Sequence, residues 1–389
     1  ATNRIKIPEV TGYVLLGILL GGSFVNFLSE NTLQSFENIS SIALGIIAFI
    51  IGLEMRLSLF KKIGKPIIFI SIFESFAAFI IVFLSMRFIM RVSIPESLLL
   101  GAVSAATAPA ATVSVIRQYK ASGNLTSTIL AVVGIDDAFA LIIYVFASSI
   151  SHSIIDGGQV HIFQNIASAS LTITASCIVG AVMAFFFNFL FRKTEHSDWI
   201  AIAIVAIILI LLGISEQFHL SELLTIMVFS MVTVNISPIL AKKAENVVSN
   251  YSPVFLAAFF IFGGAHLNIR LLGTVGFIGL IYLLARSIGK IGGGSLGAVL
   301  GKAPPTIQKY TGFALLPQVG VALALALSIN KDFNMPGMPE AKKIMAVEII
   351  NILLFTTIIT EIVGPILTRT ALQRAGEIPI KKPALSKDA

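Results

Sequence analysis

The feature that most limits what this chain can fold into is a succession of apolar runs, each about 18 to 25 residues long and apolar around the whole helical circumference. A helix of about 20 such residues crosses the roughly 30 Å hydrocarbon core of a bilayer, and without a polar face it has no stable place in water. Runs near 10–28, 36–54, 66–86, 95–117, 126–150 and 163–191, then near 199–215, 219–237, 251–268, 272–300, 306–329 and 343–368, predict about twelve transmembrane helices. The short alternating segments that a membrane β-barrel requires are absent, so the expected fold is all-α and polytopic. Only 12% of residues are charged against 56% hydrophobic, whereas a soluble domain carries about a quarter charged residues.

The formal net charge of +7 does not mark a nucleic-acid partner, because the basic residues are scattered singly and in pairs through short loops. One side holds the loop with Arg56, Lys61, Lys62 and Lys65 and the tail with Arg369, Arg374, Lys381, Lys382 and Lys387. That side carries about three times as many basic residues as the other, which places both visible ends in the cytoplasm. Cys177 stands alone, so no disulfide framework exists. His152, His161, His196, His219 and His266 show no metal-ligand spacing. No cleavable signal peptide opens the chain.

Two spans are interrupted in comparable ways. The fourth carries Ala-Ala-Thr107-Ala-Pro109-Ala-Ala-Thr112 and the eleventh carries Leu-Leu-Pro317-Gln318-Val-Gly320. Lipid cannot satisfy backbone groups freed by unwinding, so a true break must be covered by protein or line a wet cavity. A pair of breaks at matching places in two halves points to an ion site between inverted repeats. The plainer alternative is that Pro109 and Pro317 only kink continuous helices. The charges nearby favour breaks.

In the fifth span, Asp136 and Asp137 put two adjacent carboxylates about halfway across. Each costs about 2.5–3.5 kcal/mol on insertion scales, which argues for function. Neighbouring positions on a helix point about 100° apart, so one acid can face a cavity while the other faces a helix. The tenth span offers Arg286 and Lys290 at i and i+4; only the lysine can give up its proton when desolvated. Glu74, Glu348 and Glu361 are further intramembrane acids, available to compensate Arg286 or to line an ion path; a structural pairing of Glu74 with Arg286 is one expectation. A hard cation such as sodium takes oxygen ligands, which Asp137, the Thr107 hydroxyl and freed carbonyls can supply. Protonation removes the charge that holds the ion, and competition at a site exposed alternately to either side is antiport.

Gly289, Gly293, Gly297 and Gly301 recur at every fourth position, a ridge suited to close helix packing. Gly301-Lys302 is not a phosphate loop, because Ala303 holds the hydroxyl position and the required earlier glycine is missing.

The broken fourth span with Thr-Ala-Pro109-Ala-Ala-Thr, the Asp-Asp pair and the lysine of the tenth span resemble the monovalent cation/proton antiporter superfamily, on the side of the NapA-like sodium/proton antiporters. The opening Ile-Pro8-Glu-Val-Thr-Gly12-Tyr and Gly17-Ile-Leu-Leu-Gly21 are similar to the family's early helix, and the resemblance covers nearly the whole membrane region. It implies exchange of Na⁺ (or Li⁺) for H⁺ by alternating access, electrogenic and without a cofactor, by a homodimer in the bacterial inner membrane. It implies that Asp137 is the principal ion-binding acid, that Asp136 pairs with Lys290, and that Thr107 contributes at the crossing. It also implies a thirteenth span preceding residue 1.

Under that resemblance residues 1–86 hold the first scaffold helices and the start of the core, and 66–150 form the first core half, with its broken helix at 95–117 and its Asp-Asp helix at 126–150. A linker helix covers 151–198, further scaffold helices 199–268, the second core half 272–372, and a cytoplasmic tail 373–389. The rivals are a K⁺/H⁺ antiporter or potassium-efflux relative, an intramembrane aspartyl protease, and a sensor on a transporter fold. The efflux relatives carry a nucleotide-binding domain after the last span, where this chain has a short tail. The protease needs acids on facing helices, whereas these are adjacent on one.

Overall fold

Each of the twelve apolar runs carries helix in the structure, a computed structural model whose described residues are 9–22, 24–56, 64–155, 162–194, 196–266, 272–333 and 340–379. Pro8, Lys61, Lys62, His161, Lys381, Lys382 and Lys387 lie outside them. No strand occurs among the described residues, and six helices are long and apolar enough to cross a membrane on length and composition alone.

The helices are α1 (Glu9–Leu20), a short α2 (Glu30–Ser35), α3 (Glu37–Glu54), α4 (Lys65–Leu84, followed by a π turn at Ser85–Ile89), α5 (Ile94–Ser104), α6 (Pro109–Tyr119), α7 (Asn124–Ile155) and α8 (Ile162–Phe191). They continue as α9 (Ser197–Gln217), α10 (Glu222–Ile236), α11 (Pro238–Ala265), α12 (Leu272–Leu300), α13 (Pro305–Ala314), α14 (Gly320–Phe333) and α15 (Glu340–Arg374). The first helix ends at Leu20 instead of near residue 28, and the chain then loops back, pairing Gly21 with Leu28. Ser93 caps α5 by accepting from the Glu96 N–H, and Ser221 caps α10 by accepting from the Leu224 N–H. Pro66 and Pro238 stand in first turns, where a missing N–H costs nothing.

The fourth and eleventh spans are true breaks. Ala105–Ala108 separates α5 from α6, and Leu315–Val319 separates α13 from α14. Proline at 109 and 317 cannot donate to the preceding turn, which is why the helices stop there.

Packing divides the helices into two sets. Helices α4 to α7 and α12 to α15 enclose the two breaks, while α1, α3 and α8 to α11 pack mainly on one another. Within the first set, α4 and α12 pack closely along the glycine ridge, Gly289 to Gly301 against Pro66 to Ala78. A Cβ at Gly293 would lie 2.8 Å from the Glu74 Cα, and one at Gly297 would lie 2.7 Å from the Ile70 Cα. Only glycine permits that approach. Gly312 makes a similar contact for α13, where a Cβ would stand 2.6 Å from the Ile291 Cα.

Candidate functional site

The two breaks cross, and their freed backbone groups have identifiable partners. The Ala108 N–H donates to the Pro317 carbonyl at 2.9 Å, joining one break to the other. Arg286, wholly buried, spreads its guanidinium over three carbonyls: Nε donates to Ser104 O (3.0 Å), Nη1 to Leu316 O (2.6 Å) and Nη2 to Ala106 O (2.8 Å). Gln318 Nε2 donates to Val103 O at 3.1 Å, and the Thr112 hydroxyl donates to Ala314 O at 3.0 Å. Carbonyl oxygens at the ends of α5 and α13 carry partial negative charge, so a buried cation is the natural partner for them.

Lys290 lies one turn beyond Arg286 on α12. Its ammonium donates to the Ala105 carbonyl and to the Thr107 hydroxyl (2.9 Å), and it pairs with Glu74 at 2.5 Å and Asp136 at 3.5 Å. Asp136 is thus its more distant acid, at the outer limit of a hydrogen bond. Glu74 does not bond Arg286 as anticipated: the glycine ridge draws α4 onto α12 at the level of Lys290, and each nitrogen of the arginine is already turned to a carbonyl. The Glu74 carboxylate also accepts from the Ser75 hydroxyl at 2.8 Å.

Asp137 is entirely buried; the Thr107 backbone amide faces its carboxylate, and neither oxygen makes a hydrogen bond of ordinary geometry among the described residues. A carboxylate held in this way strongly favours a bound cation or proton over the bare ion. Thr107, Asp136, Lys290 and Glu74 are all at most 1% exposed. Among the described residues no group of three His, Cys, Asp or Glu side chains is placed to hold a resident metal.

A cavity of about 570 Å³ runs between the two helix sets. Glu54, Arg56 and Glu245 stand among its lining, and on α7 it reaches Gly134 and Ile135, within one turn of Asp137. Arg56 pairs with Glu245 at 3.3 Å. At the other end of the bundle the sets are tied instead of parted: Lys331 on α14 pairs with Glu222 on α10 at 2.8 Å; beside it, within the first set, the Tyr144 hydroxyl donates to Asp332 at 3.1 Å.

Several of these residues were not singled out from sequence. Tyr282 stands one turn before Arg286 and accepts from Gln318 Nε2 at 2.9 Å, so α12 presents Tyr282, Arg286 and Lys290 as one polar stripe. The i, i+4, i+8 spacing was the available signal. Glu54, the last residue of α3, looks like an ordinary helix end until the cavity is seen.

Crossed interrupted helices, buried charge at the crossing and a cavity that stops short of it define a secondary ion transporter of the membrane. The family described as "Sodium/hydrogen exchanger, transmembrane" matches residues 1–374. The chain belongs to that family and is a multi-pass membrane antiporter. The Na(+)/H(+) antiporter of Enterococcus hirae is 24% identical over 346 residues, covering 86% of each chain. The probable Na(+)/H(+) antiporter 2 of Methanocaldococcus jannaschii is 23% identical over 202 residues, 51% of this chain and 46% of its own. Among solved structures, that of the sodium proton antiporter MjNhaP1 from the same archaeon superposes with a TM-score of 0.81 at 18% identity, covering 96% of this chain and 94% of that one.

Proposed function

We propose that this chain exchanges Na⁺ (or Li⁺) for H⁺ with Asp137 as the group that takes cation and proton in turn. The observation that carries this reading is the buried Asp137 carboxylate, which makes no hydrogen bond of ordinary geometry and lies within one turn of the end of the cavity. Sodium reaching it loses water and gains carboxylate oxygen, with the Thr107 hydroxyl and the carbonyls of the break near at hand. A proton arriving first cancels the charge, so the concentration of Na⁺ needed for half-saturation rises as pH falls, by up to about tenfold per unit for each proton displaced.

Asp136 and Lys290 form the accompanying couple. As two acids share the site, more than one proton can leave for each sodium bound, which supports electrogenic exchange. The set α4 to α7 with α12 to α15 acts as the core, and α1, α3 and α8 to α11 act as the scaffold and dimer surface of a homodimer. The cavity and the Lys331–Glu222 tie lie at opposite ends, so this is the form open toward the Arg56 side. The excess of basic residues makes that side the cytoplasm of a bacterial inner membrane, with the carboxyl end on it.

The test is proton flux in proteoliposomes with Na⁺, Li⁺ and K⁺ run in parallel. Flux driven by Na⁺ and Li⁺, lost in Asp137→Asn and weakened in Asp136→Asn, is the expected result. Wild-type rates in Asp137→Asn would overturn the assignment, and a response to K⁺ alone would favour a potassium exchanger.

A further inference from the structure

The start of α7 holds a contact that the ion site does not require. After α15 ends at Arg374, Gly376 takes a left-handed φ of 73° and turns the chain back, bringing Glu377 to the turn between α6 and α7. Its Oε1 accepts from the Leu125 N–H at 2.7 Å, and its Oε2 accepts from the N–H and the hydroxyl of Thr126, each at 2.7 Å. The Ser122 N–H donates to the Glu377 carbonyl at 3.1 Å. Gly123 makes room for this, since a Cβ there would stand 2.7 Å from the Glu377 Cγ.

Two further contacts join the same ends. The Arg369 guanidinium on α15 lies 4.9 Å from the centre of the Tyr119 ring on α6, and Leu372 is buried in one cluster with Leu125 and Ile129. Helices α5 and α10 are capped by serines immediately before them. By contrast α7, which carries both aspartates, is capped by a side chain 251 positions later.

We propose that Glu377 is a positioning residue for the ion site: it fixes the axial position of α7 against α15, and so the placement of Asp136 and Asp137 at the crossing. The helix rises about 1.5 Å per residue, which puts Thr126 about 16 Å from Asp137 along a rod stiff enough to carry a small axial slip. A carboxylate bridging the first amides of a helix is held by charge-assisted bonds and by the helix dipole. Leu130, Ala131, Val133, Gly134 and Ile135, which lie between cap and acids, form one wall of the cavity. A slip therefore moves the acids and the floor of the cavity together. The proposal rests on Asp137 being the transported ion's carboxylate.

The experiment uses the full chain in liposomes, comparing wild type, Glu377→Gln, Glu377→Asp, Gly123→Ala and the Glu377→Gln/Gly123→Ala double variant for Na⁺-driven proton flux against Na⁺ concentration and pH, with hydrogen exchange of the α7 amides measured alongside. We expect Glu377→Gln to raise the half-saturating Na⁺ concentration by about fivefold while the maximal rate changes by less than about twofold, to displace the pH profile, and to speed exchange at Leu125 and Thr126. Glu377→Asp should recover part of the affinity, Gly123→Ala should reproduce the loss by displacing the carboxylate, and the double variant should be no worse than either single one. Glu377→Gln with wild-type half-saturation and pH profile, altered only in melting temperature or yield, would overturn the proposal and leave a purely structural cap. A wild type without Na⁺-driven flux would overturn the exchange reading first, an outcome distinct from failure confined to the variants.

Discussion

The ammonium of Lys290 stands nearer to Glu74 than to Asp136, 2.5 Å against 3.5 Å. The lysine is therefore shared between an acid on the neighbouring helix α4 and one on α7, the helix that carries Asp137. Removing one partner of a buried pair costs about 3–5 kcal/mol, because the remaining charge is stranded. Lys290→Ala strands Glu74 and Asp136 together, whereas Glu74→Gln leaves Asp136 free to close on the ammonium. Thermal unfolding in detergent should show Lys290→Ala as the more destabilised variant, with Glu74→Gln keeping measurable Na⁺-driven flux. The reverse order would show that Glu74, not Lys290, anchors the cluster.

Asp137 predicts a separation of activity from stability. Because neither of its oxygens makes a hydrogen bond of ordinary geometry, burying the ion is a cost that a neutral amide lowers. Asp137→Asn should abolish exchange while leaving the melting temperature unchanged or higher. A fall of more than about 5 °C would mean that the carboxylate holds a structural contact.

Arg286→Lys should be poorly tolerated although the charge is kept. The planar guanidinium satisfies three carbonyls from two different breaks, a fork that an ammonium cannot copy. Each carbonyl left without a donor costs about 1–3 kcal/mol, so yield and melting temperature should both fall steeply. Stability close to wild type would mean that the crossing is held by the Ala108–Pro317 bond and its neighbours without the arginine.

Gly293→Ala tests the ridge. The added methyl group would meet the Phe73 carbonyl at 2.5 Å, so α4 and α12 must part. Overpacking of this kind costs about 1–3 kcal/mol and should loosen the Glu74–Lys290 pair as well. Gly292→Ala on the same helix meets nothing within 4 Å and is the matched control, expected to leave stability unchanged.

Lys331→Gln weakens the tie between α14 and α10 at the end opposite the cavity. The pair is about a quarter exposed on both sides, so its worth is about 0.2–1 kcal/mol, or at most about fivefold in a conformational equilibrium. In a Cys177→Ser background, a cysteine introduced at Leu327 should react faster with a membrane-impermeant reagent added on that side. An unchanged labelling rate would remove Lys331 from the closure.

The helices were legible because lipid imposes one rule on every segment, and the two breaks were legible because proline and charge coincide where lipid forbids both. The partner of Lys290 was not legible. Sequence placed Asp136, Glu74, Glu348 and Glu361 at plausible depths, and only the glycine contacts at Gly289, Gly293 and Gly297 show which face of α4 meets α12. Arg286 was equally opaque, because its partners are backbone carbonyls, which look alike at every position of a sequence. Glu377 escaped notice for a related reason: its role depends on a turn at Gly376 and on a helix start some 250 residues earlier. The extent of α11, which begins at Pro238 well before the apolar run near 251, was hidden by Lys242, Lys243 and Glu245 on its first turns.

The arginine fork also sets a timetable. The carbonyls of Ser104 and Ala106 leave the ribosome 182 and 180 residues ahead of the side chain that satisfies them. At about 5–20 residues per second this is an interval of about 10–35 seconds. Throughout it, the first interrupted helix cannot be released into hydrocarbon with those groups bare. The first break is therefore completed only when the second half of the chain arrives to supply its guanidinium.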